Sequence, residues 1–165
     1  MKKQEILRAN ISSRSMGAIG AKAIAPRYVE KIATKENSIL DYGAGKDAIH
    51  TLRLREKGYN VVAYEFGDNI IEGLHSRSAL INRYDIVFAS NVLNVQSGIA
   101  MLITTLYQIS NVLKDGGIAV FNYPRSPRYL DISSIELIKI ITEVFGRAPC
   151  MVGGTRSAPL LSVQI

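Results

Sequence analysis

"SILDYGAGKDAIH", residues 38–50, is the stretch on which the reading of the whole chain turns. An apolar run ends in Asp41, Gly43 and Gly45 alternate with other residues, and from residue 48 Ile49 and Leu52 fall on one helical face. This is the pattern of a buried strand that bends sharply into a helix. Glycine permits the bend and leaves no Cβ between the backbone and an approaching ligand. The helix is predicted over 48–57, carrying Ile49 and Leu52 inward, with Gly58 as its stop.

Working outward, 59–65 reads as the next strand and 84–90, "YDIVFAS", as another, apolar enough to be covered on both faces. A long amphipathic helix follows Ser97, with Ile99, Leu102, Ile103, Leu106, Ile109, Val112 and Leu113 three or four apart and "KDGG" ending it. Residues 118–123 form a strand, and Ser133 with Glu136 makes a capping box for a helix reaching Phe145. Two short apolar runs, 150–152 and 160–165, surround the turn-rich "GGTRSAP". Upstream, 25–33 reads as a helix around Pro26, with Tyr28, Val29 and Ile32 on its apolar face, and 11–20 as a loop. Strands alternating with helices predict an α/β, doubly wound, mostly parallel sheet. Ligands of such sheets bind beyond the carboxyl ends of the strands, where the opening bend lies.

The chain has 165 residues, 47% hydrophobic and 21% charged, which suits a single domain spanning 1–165. No apolar stretch approaches the roughly 18 residues of a membrane span and no signal-peptide core follows the charged start, so a cytoplasmic protein is expected. Residues 1–35 carry eight bases against two acids, while the rest of the chain balances at 12 of each. The whole surplus of +6 therefore sits on a basic N-terminal segment, suited either to a polyanion or to mere solubility. Cys150 alone excludes an internal disulfide framework, and no metal is expected, because His50 and His75 lack partners at ligand spacing and read as surface residues, the alternative being that one of them lines the site.

What the bend binds is narrowed by its acids. Asp41 precedes the glycines, and Glu65 follows 24 residues later, close to the spacing at which an acid meets the ribose of an adenosine cofactor. A dinucleotide fits poorly: Ala48 stands where the last fingerprint glycine belongs, and Asp41 would face a pyrophosphate. No G-K-[ST] follows, which excludes a P-loop. An adenosine ligand with a cationic far end, such as S-adenosyl-L-methionine (SAM), suits the two carboxylates.

These residues resemble those of a known family. "ILDYGAGKDA" is similar to motif I of class I SAM-dependent methyltransferases, "VVAYEF" to their second motif, "YDIVFASNVLNV" to their fourth-strand motif and "LKDGGIAVFNYP" to their turn into strand five. The overall look is nearest to small methyltransferase-like proteins of phages and bacteria. The resemblance implies a Rossmann-like sheet with an antiparallel C-terminal strand. It also implies SAM as cofactor: Asp41 toward its methionine end, Gly43, Ala44 and Gly45 beside it, Glu65 on the ribose hydroxyls, Phe66 near the adenine, and Ser90 and Asn91 bordering the sulfonium. Three departures stand out. Asp47 replaces the third motif I glycine; Tyr84 follows Glu65 by only 19 positions, so the region between strands two and four is reduced, with Asp68 as candidate adenine acid; and no D-P-P-Y or N-P-P-Y follows the fourth strand, which disfavours DNA adenine methylation.

Methyl transfer needs orientation more than a catalyst, so sequence need not reveal one. Asn94 and Tyr123 are the catalytic candidates, with Asn122 and His50 behind them, and Arg125 and Arg128 in "NYPRSPRY" are candidates for an anionic substrate. The expected function is methyl transfer to a small-molecule or nucleic-acid acceptor. The alternatives are a non-catalytic SAM- or nucleic-acid-binding module on the same scaffold, and nucleic-acid binding alone. The acceptor and the oligomeric state are not legible.

Overall fold

The computed structural model of the chain describes residues 23–165. The loop expected over 11–20 and most of the basic segment lie outside the described residues. Helix α1 (Ile24–Ile32) leads into strand β1 (Ser38–Tyr42), helix α2 (Ile49–Glu56) and strand β2 (Asn60–Tyr64). Strand β3 (Tyr84–Ala89), helix α3 (Ile99–Asn111), strand β4 (Leu113–Asn122), helix α4 (Ser134–Phe145) and strands β5 (Cys150–Thr155) and β6 (Ala158–Gln164) complete the order. They form one six-stranded sheet, β2-β1-β3-β4-β6-β5, parallel through β4 and antiparallel at both β6 pairings. This is the expected α/β sheet with its antiparallel C-terminal strand.

Strand alternation divides the core. Ile39, Val61, Ile86, Phe88 and Val120 face Ala25 and Val29 of α1 and Leu54 of α2. Leu40, Val87, Ala89, Ala119 and Phe121 face Leu102, Leu106 and Ile109 of α3 and Leu137, Ile141 and Phe145 of α4. Helices thus seal both faces of a buried parallel sheet. The capping box of α4 forms, with Ser133 and Glu136 each satisfying the other's main-chain N–H.

The reduced region is as short as its length implies: between β2 and β3 there are only two 3₁₀ turns, Gly67–Asn69 and Ala79–Ile81, and one parallel bridge, Ala63 with His75. Several local expectations need correction. Leu52 is 42% exposed, and His50, Thr51 and Leu54 face inward instead. α2 begins at Ile49, after Ala48 in a left-handed conformation (φ 42°), and its inner side is the one on which Leu54 packs with Ile39 and Val61 and Thr51 bonds Asp41. The "KDGG" stretch begins β4 rather than ending a helix, bulging between the pairings of Tyr84 and Ile86. Most of "GGTRSAP" is strand, because β5 and β6 pair from Thr155 and Ala158 back to Cys150 and Ser162. Neither histidine is on the surface; both are 7% exposed. Cys150 sits in β5 and is exposed.

Candidate active site

The bend after β1 is built from main-chain bonds to β2. Gly43 and Ala44 both donate their N–H groups to the Tyr64 carbonyl at 2.9 Å. Gly43 (φ 73°) and Gly45 (φ 76°) take left-handed conformations, and a Cβ on Gly43 would come within 2.7 Å of Val92 Cγ2. Glycine is therefore required at Gly43 on both counts. Val92 follows Asn91 at the end of β3, so the bend and the tip of β3 are packed together.

Asp41 and Glu65 lie on the same sheet face, since Asp41 pairs with Ala63 and Glu65 is two residues further on. Glu65 Oε2 accepts the Gly45 N–H at 2.7 Å and Oε1 accepts the Phe66 N–H at 2.9 Å. Asp41 is 1% exposed and accepts the Thr51 hydroxyl at 2.8 Å. Burial drives its pKa up to about 7; the Thr51 bond opposes this and the nearby Glu65 charge adds to it. Burial also raises Glu65 above the usual carboxylate range, against the pull of its two N–H donors. Among the described residues the ion pairs are Lys57 with Glu30 and Lys114 with Asp85, so neither site carboxylate has a paired cation. Two buried acids beside a glycine bend, lacking a positive partner, are chemically suited to a ligand that brings its own positive charge.

On the opposite face, a cavity of about 140 Å³ opens beside Phe66, lined by Tyr42, Tyr64, Met101, Gln96 and Gln108 and by no charged residue. Its size resembles that of a cavity holding one small aromatic ring. Tyr42 and Tyr64 meet at 4.9 Å between ring centroids. Asp68 is exposed in the first 3₁₀ turn.

At the tip of β3, Ser90 has a buried hydroxyl without a hydrogen bond. Asn91 is left-handed (φ 57°) and clasped by Asn122 of β4: Asn122 Oδ1 accepts the Asn91 N–H, and Asn122 Nδ2 donates to Asn91 Oδ1, both at 2.6 Å. The Asn91 N–H can only donate, which fixes the orientation of both amides and leaves the Asn91 NH₂ as a donor.

The remaining sequence candidates have structural partners. Asn94, fully buried, donates to the Pro127 carbonyl at 2.7 Å. Tyr123 donates to the Leu130 and Ile132 carbonyls, at 3.2 and 3.0 Å, and Arg128 stacks over its ring at 3.9 Å. Arg128 also donates to the Pro124 and Ser157 carbonyls, at 2.7 and 2.6 Å, and the exposed Arg125 to the Ser157 hydroxyl at 2.8 and 2.6 Å. His50 lines a separate cleft of about 160 Å³ between α1 and α2 with Arg27 and Glu30. The structure thus gathers Asp41, Gly43, Ala44, Gly45, Glu65 and Phe66 at one bend, with Ser90 and Asn91 at the adjoining tip. It adds Thr51, which the sequence did not single out, and His75, read there as a surface residue or one lining the site, with Nε2 2.8 Å from the Gly45 carbonyl.

Comparison with known proteins agrees on the fold. A family model described as a methyltransferase domain matches residues 19–143. No curated protein sequence matches the chain. Among solved structures, a TehB-like SAM-dependent methyltransferase from Corynebacterium glutamicum superposes with a TM-score of 0.65 at 14% identity, covering 96% of each chain. The 1,6-didemethyltoxoflavin-N1-methyltransferase of Burkholderia thailandensis, with its substrate and S-adenosylhomocysteine bound, gives 0.65 at 15% identity over 98% of this chain and 88% of that one. A T. thermophilus 16S rRNA methyltransferase in complex with AdoMet and guanosine gives 0.64 at 19% identity, over 92% of this chain and 44% of that one.

Proposed function

The chain belongs to the family of methyltransferase domains, and from that premise we propose that it is a class I enzyme moving a methyl group from SAM to a small-molecule or nucleic-acid acceptor. The observation that carries this reading is the pair of buried carboxylates, Asp41 and Glu65, flanking a glycine bend with no ion pair to either among the described residues. Glu65 would hold the ribose hydroxyls with the lone pairs its two N–H donors leave free, Phe66 the adenine, and Asp41, with Gly43, Ala44 and Gly45, the methionine end. Ser90 and Asn91 would border the sulfonium, the Asn91 NH₂ serving as a donor toward bound ligand.

When bound, SAM supplies a methyl group already activated on sulfur. What remains for the protein is to orient the acceptor in line and exclude water. Asn94 and Tyr123 would act here by holding the 124–132 segment over the tips of β3 and β4, while Arg125 and Arg128, with the basic N-terminal segment, would draw in an anionic acceptor.

Calorimetry with SAM and S-adenosylhomocysteine tests the cofactor half of this proposal, with both expected to bind. Transfer of labelled methyl from SAM into fractionated cell extract tests turnover and sorts RNA from small-molecule acceptors. Binding without transfer to any fraction would support the non-catalytic module instead, and a folded chain that binds neither compound would refute the proposal.

A further inference from the structure

His75 belongs to the short stretch between β2 and β3, held there by the Ser76 N–H, which donates to the Ala63 carbonyl at 2.8 Å. Its two ring nitrogens have roles that the geometry decides. The Ile71 main-chain N–H points at Nδ1 from 2.9 Å and can only donate, so Nδ1 is an unprotonated acceptor. A neutral imidazole then carries its proton on Nε2, which faces the Gly45 carbonyl at 2.8 Å, a group that can only accept. Gly45 is consequently gripped on both sides: its N–H by Glu65 Oε2 at 2.7 Å, its carbonyl by His75. One bond fixes the peptide before this residue and the other the peptide after it. The same carbonyl also accepts the Ala48 N–H at 3.2 Å, so His75 and the start of α2 together hold the Gly45–Lys46 peptide, which glycine, lacking a Cβ, would otherwise leave freer to rotate.

We propose that His75 is a positioning residue for the cofactor: as the neutral Nε2–H form it holds the Gly45 carbonyl and so keeps the bend in its binding shape. The inference rests on the reading that the bend holds the adenosyl cofactor. It also gives the shortened region a task in binding other than the one expected of Asp68.

The test measures S-adenosylhomocysteine affinity by calorimetry, with thermal unfolding in parallel, for the full chain and for His75→Ala, His75→Asn and His75→Gln. Glutamine can place an N–H donor where Nε2 stands and reach Gly45; asparagine can replace only Nδ1 and reach Ile71. The expected result is affinity about tenfold weaker for the alanine and asparagine variants, the worth of one hydrogen bond, with glutamine recovering to within about threefold. Unchanged affinity in His75→Ala, or asparagine rescuing as well as glutamine, overturns the proposal. A wild-type chain that binds no S-adenosylhomocysteine removes the proposed function itself, a result distinct from a wild type that binds and variants that do not differ from it.

Discussion

Two edges of one sheet treat the same side chain in opposite ways. At the amino edge Asp85, near the start of β3, accepts the Ser38 N–H and hydroxyl at 2.7 Å each and meets Lys114 Nζ at 2.9 Å. Partial burial pushes its pKa up, but these donors and the lysine outweigh it and bring the value down to about 2. At the carboxyl edge Asp41 is held by Thr51 and forms no ion pair among the described residues, and burial brings it up to about 7 against the pull of Thr51 and of the more distant Arg55 charge. The first carboxylate staples the starts of β1, β3 and β4 together. The second has no such cation among the described residues, and that contrast, more than the glycine pattern alone, separates the proposed binding edge from the supporting one.

The largest expected effect lies on the binding edge. Glu65→Ala should weaken S-adenosylhomocysteine by about a hundredfold, since a charge-assisted contact to the ligand and the clasp on Gly45 are both lost. Isothermal titration checks this, and an affinity within threefold of wild type would erase the distinction between the edges.

Next comes the pH response of Asp41. The unfolded carboxyl loses its proton near pH 4 and the folded one near 7. Between these values the native state binds more protons than the unfolded state, so this group's contribution to stability falls as pH rises through that window. A cation favours the ionised form, so SAM affinity should rise up to about tenfold from pH 6 to 8. Asp41→Asn should flatten both profiles, as denaturation midpoints and titrations at pH 5.5 and 8 would show.

The smallest effect is expected at the supporting edge. Asp85→Asn should cost about 1 kcal/mol, given how exposed its ion pair with Lys114 is, and lower the melting temperature by a few degrees while S-adenosylhomocysteine affinity stays unchanged. The sign of its pH dependence is reversed. A depressed pKa gives stability that is present above about pH 4 and lost as pH falls toward 2.

Much of this architecture could be read from the chain because β1, β2 and β3 are apolar runs bounded by turn residues, and α3 and α4 repeat at helical spacing. The bend was legible because an acid, two glycines and a second acid sit at distances local chemistry explains. What escaped depended on distant partners. Thr51 matters through Asp41, and it faces inward in place of the expected Leu52. His75 lies where no periodicity exists, 30 residues from the glycine it holds. Arg128 shows a charge in the sequence but not the carbonyls of Pro124 and Ser157 that engage it. The glycines of β5 read as a turn because pairing with β6, not propensity, makes them strand.

The position of β6 between β4 and β5 carries a consequence for how the molecule is assembled. Until residues 158–164 emerge during synthesis, β4 presents an open border and β5 has no hydrogen-bonding neighbour at all. The half of the sheet bearing the carboxylates can pair earlier, through β2, β1 and β3, so the elements proposed to hold the nucleoside stand ready while the far side still waits to be stitched shut.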